Sequence, residues 1–232
     1  SPHSVTLSHT GADAAPQTQA VNLTINADGS YSIASFDLDD LPLGNNATTT
    51  FNYQAEDDSG ALSLERTATI TIAGTNDNPA LTAGSIITSE DALETGINVD
   101  AATSNLLNLA TDIDDVNSSL VVGTVNGAAG SVDNPVSVTL SYTDADGAPQ
   151  TQAVNLTVNA NGSYSIASFD LDDLPLGNNA TASFNYQAED DSGALSLERT
   201  ATITITGTND NPALAAGSII TSEDALETGI NV

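Results

Sequence analysis

Residues 4–99 of this chain recur almost unchanged as residues 137–232, at a fixed offset of 133 positions. Aligning 1–99 with 134–232 leaves 11 differences, so 88 of 99 positions are identical. The matching stretches Thr75-Asn-Asp-Asn-Pro79 and Thr208-Asn-Asp-Asn-Pro212 set the register. So long a tandem repeat implies self-contained units placed in a row, because copying a unit lengthens an array without adding chemistry. The 232 residues hold less than two full periods, and the chain reads as a segment of a longer array.

The apolar residues are mostly Val, Ile, Leu and Ala, alternating with Thr, Ser and Asn, which is the composition of half-buried strands. Val136, Val138, Leu140 and Tyr142 share one parity before the turn Thr143-Asp-Ala-Asp-Gly147. Val154, Leu156 and Val158 continue to Asn159-Ala-Asn-Gly162, a hairpin turn. Tyr164 and Ile166 follow, then Phe184, Tyr186 and Ala188. The last predicted strand is long, with Leu195, Leu197, Ala201, Ile203 and Ile205 on one face and Thr200, Thr202, Thr204 and Thr206 on the other. One wet face per sheet is the solution of an all-β sandwich, not of an α/β fold. Asn105–Ala110 is predicted as a further strand, with a single helical turn as the alternative. Pro and Asn/Asp make Gly207–Pro212 a linker, and the rival boundary is 126–135. The favoured division is 1–79 as the end of one repeat, 80–212 as a complete repeat and 213–232 as the opening strands of a third.

Charge excludes several partners. There are 31 acids, and the only bases besides two histidines are Arg66 and Arg199, for a net charge of −29. Such a surface repels nucleic acid and anionic membranes. No apolar run is long enough to span a bilayer as a helix. With no Cys there is neither a disulfide framework nor a thiolate metal site. The clean alternation argues against disorder, which leaves the acids as a solvated coat, as cation ligands, or as both.

The motifs Asp28-Gly-Ser-Tyr31, Phe51-Asn-Tyr-Gln-Ala-Glu-Asp-Asp-Ser-Gly60, Thr67-Ala-Thr-Ile-Thr-Ile72 and Gly74-Thr-Asn-Asp-Asn-Pro79 resemble the VCBS and cadherin-like repeats of giant secreted bacterial adhesins, often of the RTX type. Ser89-Glu-Asp91 and Thr111-Asp-Ile-Asp-Asp115 are similar to the opening of the same repeats. The resemblance implies tandem immunoglobulin-like sandwiches with Ca²⁺ at the joints. Carried onto the joint at 74–79, it makes Asn76 and Asp77 linker ligands, joined by Asp112 and Asp114 as an Asp-x-Asp pair and by Asp190. At the joint 207–212 it implies Asn209 and Asp210, with Glu90 from the first strand and Asp172 and Asp173 where cadherins carry Leu-Asp-Arg-Glu. The first linker Asp of cadherins is Gly74 or Gly207 here.

The residues make a case for Ca²⁺ by themselves, since the ion takes six to eight hard oxygens from carboxylates, amides and turn carbonyls. Asp-x-Asp occurs at Asp37/Asp39, Asp112/Asp114 and Asp144/Asp146, and charge this dense repels itself unless cations intervene. One pair alone is more often a polar turn. Because Asp144 and Gly147 are Gly11 and Ala14 in the other copy, that loop is read as a hairpin. The inward parity of Arg66 and Arg199 predicts a structural ion pair. His3 and His9 lack counterparts in the second copy and do not suggest a metal site. No nucleophile–base constellation is present, so no enzyme is expected, and the resemblance implies an extracellular, cell-surface spacer stiffened by Ca²⁺, whose partners are neighbouring repeats of the same chain. The alternative is a filament or surface-layer subunit, a homopolymer assembled head to tail by strand donation.

Overall fold

The computed structural model describes residues 2–99 and 105–211, with Leu214 and Gly217. It is an all-β protein. Strands β1 (Pro2–Thr10), β2 (Pro16–Ile25), β3 (Tyr31–Ile33), β4 (Asn46–Tyr53) and β5 (Arg66–Ala73) form a five-stranded sheet in the order β3-β2-β1-β4-β5. After the segment 74–79 come β6 (Ala80–Leu81), β7 (Ser85–Ser89), the one-turn helix α1 (Glu90–Leu93), β8 (Ile97–Val99), β9 (Ala110–Thr111) and β10 (Val121–Val125). They are followed by β11 (Pro135–Thr143), β12 (Pro149–Val158), β13 (Tyr164–Ile166), β14 (Asn179–Glu189) and β15 (Arg199–Thr206). The second sheet runs β7-β15-β14-β11-β12-β13-β8, with β10 also on β14, and β6 pairs with β9 separately. Most of the predicted opening stretch 213–232 lies outside the described residues.

The repeat in sequence is a repeat in register. Pro2 faces Thr24 and Ser8 faces Thr48, as Pro135 faces Thr157 and Ser141 faces Thr181. The β12–β13 hairpin closes where Gly162 takes a positive φ (81°), and period-two alternation puts Val138, Leu140, Val154 and Leu156 inside.

What differs between the copies is the cover. In the second sheet β7 and β8 stand at opposite ends of the strand order although only residues 90–96 separate them. A flat arrangement would hold those ends about 29 Å apart at about 4.8 Å per strand, so the sheet curls and residues 80–99 and 105–125 close it. Leu81, Ile86, Leu93, Leu106, Leu120 and Val122 from that stretch seal Phe184, Tyr186, Ile203 and Ile205 to 2% exposure or less. Tyr186 is pinned as well as packed: its hydroxyl accepts from the Gly84 N–H at 2.8 Å and lies 3.3 Å from the Thr82 and Leu106 carbonyls. Each such side chain contributes about 1.5–3 kcal/mol when fully covered. The first sheet has a small core of Leu7, Val21, Leu41 and Ala47, with Leu23 buried as well, and there Tyr31 is 68% and Tyr53 49% exposed.

Three expectations change. Asn105–Ala110 is not a strand: residues 106–109 form a turn, closed by Ala110 N–H on Leu107 O at 2.9 Å, and only Ala110–Thr111 pairs. Leu106 and Ala110 are buried on this turn while Leu109 points outward. The last strand begins at Arg199, and Leu197 is 74% exposed because Ser196 leaves the ladder to bond Ala188. Arg199 donates from Nε to the Leu81 carbonyl at 2.7 Å instead of forming the expected ion pair, so it ties the cover to β15.

Candidate metal centre at the joint

Several aspartates among the described residues are occupied by their own turns. Asp144 Oδ1 accepts the N–H groups of Asp146 and Ala148 and Oδ2 accepts Gln150 Nε2 at 2.7 Å, and the Gln150 bond holds this carboxyl below its ordinary range. Asp28 and Asp57 cap their turns similarly, each held low chiefly by a serine hydroxyl. Asp39 N–H bonds Asp37 Oδ1 in an exposed turn. In these turns the capping carboxylate is held by hydrogen-bond donors of its own loop.

The joint is different. Loop 111–117 is folded by Asp112, whose Oδ1 accepts the N–H groups of Asp114 and Asp115 at 3.1 and 3.3 Å, while Asn117 Oδ1 accepts the Asp112 N–H at 2.9 Å. This turn aims carboxylates toward the loop after β14. There Asp190 uses Oδ1 to cap its turn with Ser192 and Ala194 and Oδ2 to accept Asn76 Nδ2 at 2.8 Å. From the other side Asp77 donates its backbone N–H to Asp114 Oδ2 at 3.2 Å. Segment 74–79 and two loops of the second sheet therefore meet at one acidic point.

Carboxylate oxygens of Asp112, Asp115 and Asp190 lie within 4.8 Å of one another, close enough to hold a metal ion. Asp112 Oδ2, Asp114 Oδ1 and Asp115 Oδ2 are buried and have no hydrogen-bond partner, and Asp114 is 1% exposed. Burial pushes the carboxyls of Asp114 and Asp115 up to about 6, helped by Asp112 beside the first and Asp191 beside the second. Burial also raises Asp190, but the bonds from Asn76, Ala194 and Ser192 outweigh it and hold that carboxyl low. Orphaned buried oxygens around an anionic centre are what a hard cation satisfies.

Of the residues singled out in the sequence, Asn76, Asp77, Asp112, Asp114 and Asp190 come together here, Asp77 through its backbone, its side chain being exposed. Asp115 lies outside the Asp-x-Asp spacing, which picks out Asp112 and Asp114. A turn capped by its first Asp brings positions 112 and 115 to one side.

At the far end, Glu90, Asp91 and Asp210 form a second group able to hold a metal ion. Glu90 is buried. Its Oε1 accepts the N–H and hydroxyl of Thr208 at 2.5 and 2.9 Å, and its Oε2 has no partner. Asp91, also missed, accepts the same hydroxyl. Asp172 is raised by Asp170 first and by Asp210 and Glu94 among its neighbours, so it borders the group. Asp173 serves elsewhere: both its oxygens accept the Tyr142 hydroxyl, at 2.9 and 3.1 Å. Asn209 is exposed, and its Nδ2 bonds the Asp210 carbonyl. In the first copy His9 and Asp40 replace the Tyr142–Asp173 pair, at 3.2 Å.

Gly74 and Gly207 have a packing reason to be glycine. A Cβ on Gly74 would sit 2.1 Å from the Pro42 carbonyl, and one on Gly207 2.3 Å from that of Pro175. No aspartate fits there.

No protein-family model matches the chain, and no curated protein sequence matches it significantly. Among the described residues no helix is long and apolar enough to cross a membrane.

Proposed function

We propose that this chain is a segment of an extracellular, cell-surface bacterial adhesin, built from tandem immunoglobulin-like, cadherin-like sandwiches and acting as a Ca²⁺-stiffened extender. The observation that carries the reading is the set of buried, partnerless oxygens on Asp112, Asp114 and Asp115, gathered where segment 74–79 touches Asp190. An ion bound to Asp112, Asp115 and Asp190 would neutralise the loops that Asn76 and Asp77 grip, and so fix the angle between successive units. Ca²⁺ suits the donor set, which is entirely hard oxygen, with no Cys or His nearby to favour a softer metal. Spacing an adhesive module away from a surface needs length and stiffness and no catalytic group, in keeping with near-identical repeats.

Calorimetric titration of the full chain with Ca²⁺ tests the reading. Binding is expected, weakened by Asp112→Asn and by Asp115→Asn. Binding that is absent, or unchanged in both variants, would overturn it.

A further inference from the structure

Loop 111–117 is closed differently from the other aspartate-capped turns. Asp57, Asp144 and Asp190 each use Oδ1 to accept N–H groups of their own turn. Each also donates its own N–H to a backbone carbonyl four residues on, that of Ala61, Ala148 or Ala194, at 3.1, 3.0 and 3.1 Å. Asp112 caps in the same way, through the N–H groups of Asp114 and Asp115, but its own N–H goes to a side chain, Asn117 Oδ1, at 2.9 Å. The Asn117 amide oxygen stands where a hairpin would supply a carbonyl.

The carboxylates differ accordingly. Asp144 Oδ2 is taken by Gln150 and Asp190 Oδ2 by Asn76. Asp112 Oδ2 is buried without a partner, as are Asp114 Oδ1 and Asp115 Oδ2. Asp112 holds the N–H groups of its two acidic neighbours and Asn117 holds that of Asp112, so one amide oxygen stands behind all three. That oxygen is firmly mounted. Asn117–Ser119 is a single 3-10 turn, fixed by the Ser119 N–H and hydroxyl on the Val116 carbonyl at 2.9 and 2.7 Å, and it leads straight into buried Leu120.

We infer that Asn117 is a positioning residue of the candidate Ca²⁺ centre, acting through Asp112 without being a ligand itself. The inference rests on the calcium reading above and deepens it. A polar group behind a ligand fixes the ligand's direction, and its loss costs about tenfold to a hundredfold in metal affinity. Without the Asn117 oxygen the Asp112 N–H turns to water. The loop is then free to let its carboxylates part, as like charges do when no ion lies between them.

Calorimetric titration of the full chain with Ca²⁺, together with melting in EDTA and in Ca²⁺, tests this role. Asn117→Ala is expected to weaken, about tenfold or more, the same site that Asp112→Asn weakens. It should shrink the rise in melting temperature that Ca²⁺ brings while changing the melting temperature in EDTA much less. Asn117→Asp keeps an acceptor oxygen within reach of the Asp112 N–H and should restore affinity. Asn117→Ala with Ser118→Asp adds the same charge one position along, without that bond, and should not. A wild-type chain that binds no Ca²⁺, or binding indifferent to Asp112→Asn, would overturn the calcium reading and the inference with it. With that binding intact, three results would overturn the inference alone: wild-type affinity in Asn117→Ala, equal rescue by the two aspartates, or an equal loss of melting temperature in EDTA and in Ca²⁺.

Discussion

Asn76, in the segment that leaves the first sheet, donates to Oδ2 of Asp190, 114 positions later, at 2.8 Å, and Asp190 spends its other oxygen capping its own turn. Asp57, the same residue of the first copy, makes the same cap at an exposed position. One aspartate therefore serves as a turn in one copy and as a bridge to the joint in the other. Asn76→Ala is expected to lower Ca²⁺ affinity less than Asp115→Asn does, because it removes an orienting bond and leaves the carboxylates in place. Calorimetry of both variants makes the comparison.

Cation binding should stabilise the fold through linkage by about 2.7 kcal/mol at about a hundredfold excess of Ca²⁺ over Kd. Melting in EDTA and in Ca²⁺ at matched ionic strength measures this. Equal melting temperatures would reduce the acids to a solvated coat.

The metal-free protein should show an inverted acid response near neutrality. Asp114 and Asp115 have their folded-state carboxyls raised to about 6, above their unfolded value. The folded protein therefore binds protons that the unfolded chain does not, and stability falls as pH rises through about 6. Lowering the pH from about 7 toward about 5 in EDTA should raise the melting temperature, while Ca²⁺ affinity drops because the ion competes with those protons. A melting temperature that falls steadily over the same window would show that the acids are not in conflict.

Tyr186→Phe and Tyr53→Phe are the same substitution at the same repeat position with different expected costs. The first strands the half-buried Gly84 N–H, at about 1–3 kcal/mol. The second, at a half-exposed tyrosine, should leave the stability of the monomer almost unchanged. Denaturant unfolding of each variant decides.

Gly207→Ala should cost about 1–3 kcal/mol as overpacking, because the added methyl meets the Pro175 carbonyl, a backbone atom unable to swing aside. Gly130→Ala, where a Cβ meets nothing, is the matched control in thermal melts.

The residues alone determined the long paired strands between Val136 and Ile205 and most of the faces they bury. Alternation from Val136 to Ile205 is local information, because a strand's period of two is a property of its own backbone, and the hairpin at Asn159–Gly162 follows from two residues that tolerate positive φ. The Asp112/Asp114 pair and Asp190 were legible as acids with metal-ligand spacing. Other features depended on contacts remote in sequence. Leu106 leaves the strand pattern for a turn because Gly162 and Tyr186 hold that turn. Arg199 takes a carbonyl instead of a carboxylate because Leu81 arrives beside it. Asp115 joins the cluster only once loop 111–117 folds against Asp190. Tyr53 and Tyr186 mark the limit most clearly: identical neighbours in sequence leave one half-exposed and the other sealed, since burial depends on what lies across the sheet, and across Tyr186 lie residues brought from 81–122.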